Sequence, residues 1–279
     1  MRRRVALATA IAALALGTPA HAAPFRTGVT ESWLGPPATN VPAAVVRVPV
    51  FASSDIPNRI SYTQALNANG KLALVNADWH LADTDWQTLT DNAASTWFEI
   101  GNEAPGADYA AYFARLPQIA SIVHENPGDL TVLMPETTRR ELDFLRAVPN
   151  SMWQDGTIDR VALHPYAPTP QGALQEVQDA RALVPKRIPF FVTEVGWSVR
   201  ADVGPTTLVV SEAQQAQNLT DVFDLFYQNA RALRLQLVTW YNYSDFYGDG
   251  SWDDFCGLVR NDGTHRPSYD ALAAIPPRR

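Results

Sequence analysis

Ile188-Pro189-Phe190-Phe191-Val192-Thr193-Glu194-Val195-Gly196-Trp197 is the stretch that decides the fold. A short run of bulky apolar and β-branched residues without alternation reads as a strand buried on both faces, as in a parallel sheet covered by helices. The run stops at a carboxylate, followed by a glycine and a tryptophan. An acid at the tip of a buried strand is costly to desolvate, so it points to function. The same pattern stands upstream in Thr96-Trp97-Phe98-Glu99-Ile100-Gly101-Asn102-Glu103-Ala104-Pro105. Two strands that each deliver a glutamate at the same end set a pair of carboxylates, Glu103 and Glu194, over one cleft.

Outward from these two runs, short apolar segments alternate with amphipathic ones. Strands are expected, in order, at Thr27–Ser32, Ala44–Val50, Leu72–Asn76, Trp97–Gly101, Leu130–Met134, Asp159–His164, Pro189–Thr193 and Leu235–Tyr241. Helical periodicity fits Tyr62–Asn69, Asp85–Ala93, Ala107–Val123, Thr138–Ala147, Leu174–Leu183 and Ser211–Ala230, with a short last helix at Ser268–Ala274. The first crossover, Pro36–Pro42, is too short and proline-rich for a helix. Eight strands joined by helical crossovers predict an α/β fold, a single (β/α)8 barrel. The rival, an open doubly wound sheet, lacks a glycine-rich phosphate fingerprint after the first strand. In a barrel, catalytic groups collect at the C-terminal ends of the strands. That is where this sequence puts Arg47, Asp78-Trp79-His80, Asn102-Glu103, His164-Pro165-Tyr166, Glu194, Trp197 and Trp240-Tyr241-Asn242.

The ends and the composition bound the class. Arg2, Arg3 and Arg4 precede an apolar run from Val5 to Leu16, and Ala20-His21-Ala22 supplies a small-x-small cleavage pattern. This predicts a secretory signal peptide over residues 1–22, a catalytic domain over 23–279, and a secreted protein, extracellular or periplasmic. The apolar run falls short of the roughly 20 residues a membrane span needs. The formal charge of −7 becomes more negative once the three N-terminal arginines are lost, which argues against nucleic acid or anionic lipid as a partner. The one cysteine, Cys256, reads as a small buried residue. Eight tryptophans and nine tyrosines suit a sugar-binding surface. No Cys/His cluster suits zinc and no acidic loop suits calcium, so no metal or other cofactor is expected.

Two carboxylates facing a sugar ring can hydrolyse a glycosidic bond. One protonates the leaving oxygen, and the other attacks the anomeric carbon or activates water. Asn102-Glu103 after the fourth strand, Thr193-Glu194 after the seventh, His164-Pro165-Tyr166 on the sixth and Trp240 on the eighth resemble the clan A glycoside hydrolases, retaining (β/α)8 enzymes. Trp97–Pro105 and the ending from Gly257-Leu258-Val259 to Pro267-Ser268-Tyr269 look most like bacterial proteins near glycosidase families 39 and 5.

The resemblance implies that Glu103 is the acid/base, Glu194 the nucleophile and Asn102 the ligand of the sugar 2-hydroxyl. It further implies that Arg47 supports the ionised nucleophile, that His164 and Tyr166 position Glu194 or the sugar, and that Trp240 is the platform beneath the sugar. Trp79, His80 and Trp197 are candidate sugar contacts. Glu99 is read as a structural partner inside the barrel, to Arg47. Ala104 stands where many members carry proline directly after the glutamate, which shifts the loop on the leaving-group side. The expected protein is a monomeric, endo-acting hydrolase of β-linked polysaccharide or oligosaccharide. An exo-β-glycosidase, a transglycosylase and a carbohydrate-binding barrel without turnover are the alternatives.

Overall fold

The structure, a computed structural model, describes residues 25–31, 39–103, 109–137, 142–246 and 248–277. The signal-peptide reading and Ala104-Pro105 lie outside these residues, as does the first part of the Pro36–Pro42 crossover. Eight parallel strands close into a barrel in chain order: β1 (Arg26–Thr30), β2 (Val45–Val50), β3 (Leu72–Ala77), β4 (Ser95–Ile100), β5 (Thr131–Thr137), β6 (Arg160–Leu163), β7 (Phe190–Val195) and β8 (Leu235–Tyr241). Helices α1 (Ile56–Ala68), α2 (Asp83–Asn92), α3 (Tyr109–Glu125), α4 (Leu142–Ala147), α5 (Asn150–Gln154), α6 (Pro170–Leu183), α7 (Glu212–Leu233) and α8 (Pro267–Ala273) accompany them. The chain is therefore the (β/α)8 barrel that the sequence predicts.

Helix starts differ from the apolar pattern because the local chemistry of the first turn, not periodicity, sets them. α1 begins six residues before Tyr62, with Pro57 in its first turn, after a turn that the Asp55 carboxylate holds by accepting from the Phe51 and Ala52 amides at 3.1 and 3.0 Å. α6 begins at Pro170, where the Thr169 hydroxyl accepts from Gly172 N at 3.1 Å. α5, five residues long, is too short to display a period.

The barrel interior is layered. Val45, Leu74, Leu133, Ala162, Phe191 and Leu237 form an apolar floor, separate from the large core between strands and helices. Each of these side chains larger than Ala162 contributes roughly 1.5–3 kcal/mol by leaving water. Gly28 is required beside this floor, since a Cβ there would stand 2.6 Å from Thr239 Cγ2. One inward step higher the lining turns polar: Thr30, Arg47, Asn76, Glu99, Thr193 and Thr239 are all buried. Such groups are stable inside a protein only when paired with one another. Their pairing carries the site above them.

Candidate active site

Arg47 is the hub. Its side chain rises from β2 with 1 % of the residue exposed, and its guanidinium spreads three donors upward. Nε donates to Glu99 Oε2 at 2.5 Å, Nη1 to Glu194 Oε1 at 2.5 Å and Nη2 to Asn102 Oδ1 at 3.0 Å. A planar fork of this kind fixes its partners in direction as well as distance. Glu99 is in turn held by the Thr193 hydroxyl at 2.8 Å, and the Thr30 hydroxyl donates to Thr193 O at 2.9 Å. A chain of hydrogen bonds thus runs from β1 through β7 and β4 to β2, locking the arginine from below.

Thr193 and Glu194 are consecutive, yet both face the barrel axis. In a regular strand they would point to opposite faces. The β7–β8 pairing shifts register between Val192 and Val195, and an irregularity of this type re-aims side chains next to active sites. Gly196 then packs against the carbonyl oxygen of Tyr241 with no space for a Cβ, which lets the ends of β7 and β8 draw together. That close approach is the physical reason for the glycine after the acid.

Glu194 Oε2 accepts from the Tyr166 hydroxyl at 2.6 Å and lies 3.3 Å from His164 Nδ1. Burial pushes the Glu194 carboxyl up to about 7; Arg47 and the Tyr166 hydroxyl pull it down, while the charges of Glu103 and Glu99 push it further up. His164 is held neutral, well below the usual imidazole range, first by burial and then by Arg47. Burial and the Glu194 charge hold the Tyr166 phenol well above its usual range, so it remains a donor.

Glu103 sits at the opposite extreme of solvation. It is exposed, three residues beyond β4, in the left-handed region at φ 59°. A non-glycine residue held there is uncommon and is found at functional sites. Asn102 and Glu103 line the same cavity as Glu194, of about 490 Å³, with Thr30, Glu31, Arg47, Pro49 and Phe51 on the β1–β2 side. Tyr166, Tyr241, Asn242, Phe246, Trp252 and Asp253 complete the wall. One ionisable carboxyl is buried and clamped, and a second is solvated across the same cavity. That arrangement can divide nucleophilic and proton-transfer work.

The loop after β8 supplies much of the far wall and is braced from behind. Arg266, just before α8, donates to both oxygens of Asp245 at 2.6 Å, to Gly257 O at 2.7 Å and to Glu212 Oε1 on α7 at 3.2 Å. Within this loop the carboxylates of Asp249, Asp253 and Asp254 lie together, where the sequence suggested no acidic cluster. Amides of Gly248 and Gly250 donate to Asp254 at 3.1 and 2.7 Å, so the group folds the loop onto itself.

Of the residues singled out from the sequence, Arg47, Asn102, Glu103, Tyr166 and Glu194 line one cavity, and His164 lies directly beneath at Glu194. Trp240 and Trp197 do not line it. Both rings are fully buried, tilted against each other at 6.1 Å, and Trp240 Nε1 donates to Cys256 O at 3.0 Å. Tyr241 and Trp252 provide the aromatic wall instead, with Trp252 packed edge-on to Tyr166 at 4.9 Å. Trp79 packs beneath Gly101 and stacks on His80, whose Nδ1 is 2.8 Å from Asp78; neither lines the cavity. Glu31 was not anticipated as a site residue, although it is another acid at a strand tip, and Asn242, which the sequence places at the end of the eighth strand, was given no role there.

Solved structures similar to this one are glycoside hydrolases. One is a family 39 enzyme from the gut symbiont Bacteroides cellulosilyticus WH2, with a TM-score of 0.61 and 16% identity over 90% of this chain and 63% of that one. Another is a family 5, subfamily 18 protein from Bifidobacterium longum subsp. longum ATCC 55813, solved with Manβ1-4GlcNAc, at TM-score 0.67 and 12% identity over 91% and 80% of the two chains. A third is the family 53 catalytic domain of Ignisphaera aggregans, at TM-score 0.65 and 14% identity over 92% and 97%. At these identities the likeness is one of fold. No protein-family model matches the sequence, and no curated protein does.

Proposed function

We propose that the chain is a secreted retaining glycoside hydrolase acting on β-linked polysaccharide or oligosaccharide. The observation that carries this is the Glu194 carboxylate, clamped at the barrel mouth by Arg47 and Tyr166, with Glu103 solvated on the wall of the same cavity. Glu194 attacks the anomeric carbon. Glu103 protonates the leaving oxygen and then takes a proton from the incoming water. Arg47 holds the nucleophile ionised against its own desolvation, and the neutral His164 and Tyr166 fix its orientation. As covalent bonding neutralises Glu194, the Glu103 carboxyl loses a repelling charge, which suits the change from acid to base.

Endo action is the first reading, with exo action the second. The second draws on Phe246, Trp252 and Asp253, which close the cavity on the β8 side. The testing experiment is reducing-sugar release from a panel of β-linked polysaccharides by wild type and Glu194→Gln. Activity on one polymer, abolished in the variant, supports the reading, and the product sizes separate endo from exo cleavage. Sugar binding without release by the wild type refutes it in favour of a barrel that binds without turnover.

A further inference from the structure

The cavity has a side that the reaction above leaves unused. Thr30 of β1 stands opposite Tyr241 of β8, and beyond them Tyr243 N donates to Thr30 O at 2.8 Å. Glu31 and Asn242 directly follow Thr30 and Tyr241 at the ends of these two neighbouring strands. Both line the cavity, and the residues are only 4 % and 1 % exposed. Each holds a buried oxygen, Glu31 Oε1 and Asn242 Oδ1, that has no hydrogen-bond partner among the described residues.

Buried polar oxygens are normally satisfied, and two orphans on the wall of one cavity indicate partners that arrive with a ligand. Glu31 is also fixed from behind. Its other oxygen is 3.3 Å from Arg59 Nη1, and Tyr62 donates to the same carboxyl, both from α1. The carboxyl is therefore preorganised, with one oxygen held by α1 and the other without a partner among the described residues. An amide and a carboxyl on the wall of one cavity suit the hydroxyl groups of a sugar ring, which both donate and accept.

We infer that Glu31 and Asn242 read two neighbouring hydroxyl groups of the sugar seated over Glu194, and so select that sugar by its ring configuration. The inference rests on the glycosidase reading and adds two specificity-determining residues to it. A site built to hydrogen-bond a substrate hydroxyl discriminates strongly against the analogue that lacks it.

The experiment uses 4-nitrophenyl β-glycosides of glucose, mannose, galactose and xylose to find the preferred sugar, then the single-deoxy versions of that sugar. kcat/KM is measured for wild type, Glu31→Ala and Asn242→Ala, each checked by thermal unfolding. Glu31→Ala is expected to lose about 10- to 100-fold on the parent sugar and almost nothing further on one deoxy sugar. Asn242→Ala should show the same pattern for the adjacent position. Equal losses on the parent and on every deoxy sugar, or no loss at all, overturn the inference. If Glu31→Ala does not fold, Glu31→Gln and Asn242→Ala decide on the same set. If wild type hydrolyses none of the glycosides, the hydrolase reading fails on them and calorimetric binding of the same sugars tests the pair. Selective weakening by Glu31→Ala then supports it, and absence of binding to wild type overturns it.

Discussion

Replacing Tyr166 with phenylalanine removes one hydrogen bond from Glu194 while keeping a ring to pack against Trp252 and Tyr241. The phenol donates at 2.6 Å to a carboxyl whose residue is 7 % exposed. A hydrogen bond to an ionised group contributes about 1.5–3 kcal/mol, and about 1.4 kcal/mol corresponds to one pH unit of titration. Tyr166 favours the charged form, so its loss raises the Glu194 pKa from about 7 by roughly 1 to 2 pH units. On the proposed role of Glu194 as nucleophile, which must be ionised to attack, the acid limb of kcat/KM moves upward by the same amount. The variant then loses about 10- to 100-fold on that limb and recovers toward wild type as the pH passes the new pKa. The phenol of wild type stays protonated throughout, so its own titration does not intrude. The assay is kcat/KM against pH on the best glycoside. A loss that is the same at every pH refutes the reasoning, because it assigns Tyr166 to the substrate rather than to the charge state of Glu194.

Three further outcomes follow from the packing. Gly196→Ala forces a methyl group onto the Tyr241 carbonyl and should cost about 1–3 kcal/mol in urea unfolding, with loss of activity as the β7 and β8 tips part; an unchanged midpoint contradicts the close approach. Burial raises Glu31 from 4.5 to about 8, so the folded protein carries a penalty that grows as pH rises between those values, and the neutral side chain of Glu31→Gln escapes it. The stability of Glu31→Gln relative to wild type should therefore climb with pH across that window, by up to about 5 kcal/mol, and a pH-independent difference would refute this. Arg266→Met leaves the buried Asp245 charge unpaired and should cost about 3–5 kcal/mol, most of it recovered when Asp245→Asn is added; additive losses would show that the pair is not coupled.

The strands were legible because buried parallel strands are short apolar runs, and all eight expected runs coincide with observed strands to within a few residues. That same property hid the aromatic wall. With apolar residues on both faces of β8, no alternation distinguishes Trp240 from Tyr241, and the larger ring reads as the platform. Barrel parity decides otherwise: Leu237 on the interior floor is in phase with Thr239 and Tyr241, which turns Trp240 toward the helices. The position of Glu194 was legible as an acid at a strand tip. Its facing the axis beside Thr193 was not, because a register shift leaves no mark in composition. Glu31 carried the same strand-tip signal, but Ser-Trp after it offers no companion motif.

Arg266 brings a consequence for how such a protein changes over generations. The grip on the β8 loop is made behind the cavity, on Asp245, Gly257 and Glu212, and takes nothing from Arg47, Glu99 or Glu194. The tip that carries Phe246, Trp252 and Asp253 is therefore an exchangeable part mounted on a fixed bracket. On the proposed function, residues of this tip other than Trp252, which packs on Tyr166, can change while the charge chain under Glu194 stays as it is, so the cavity wall can diversify faster than the groups beneath it.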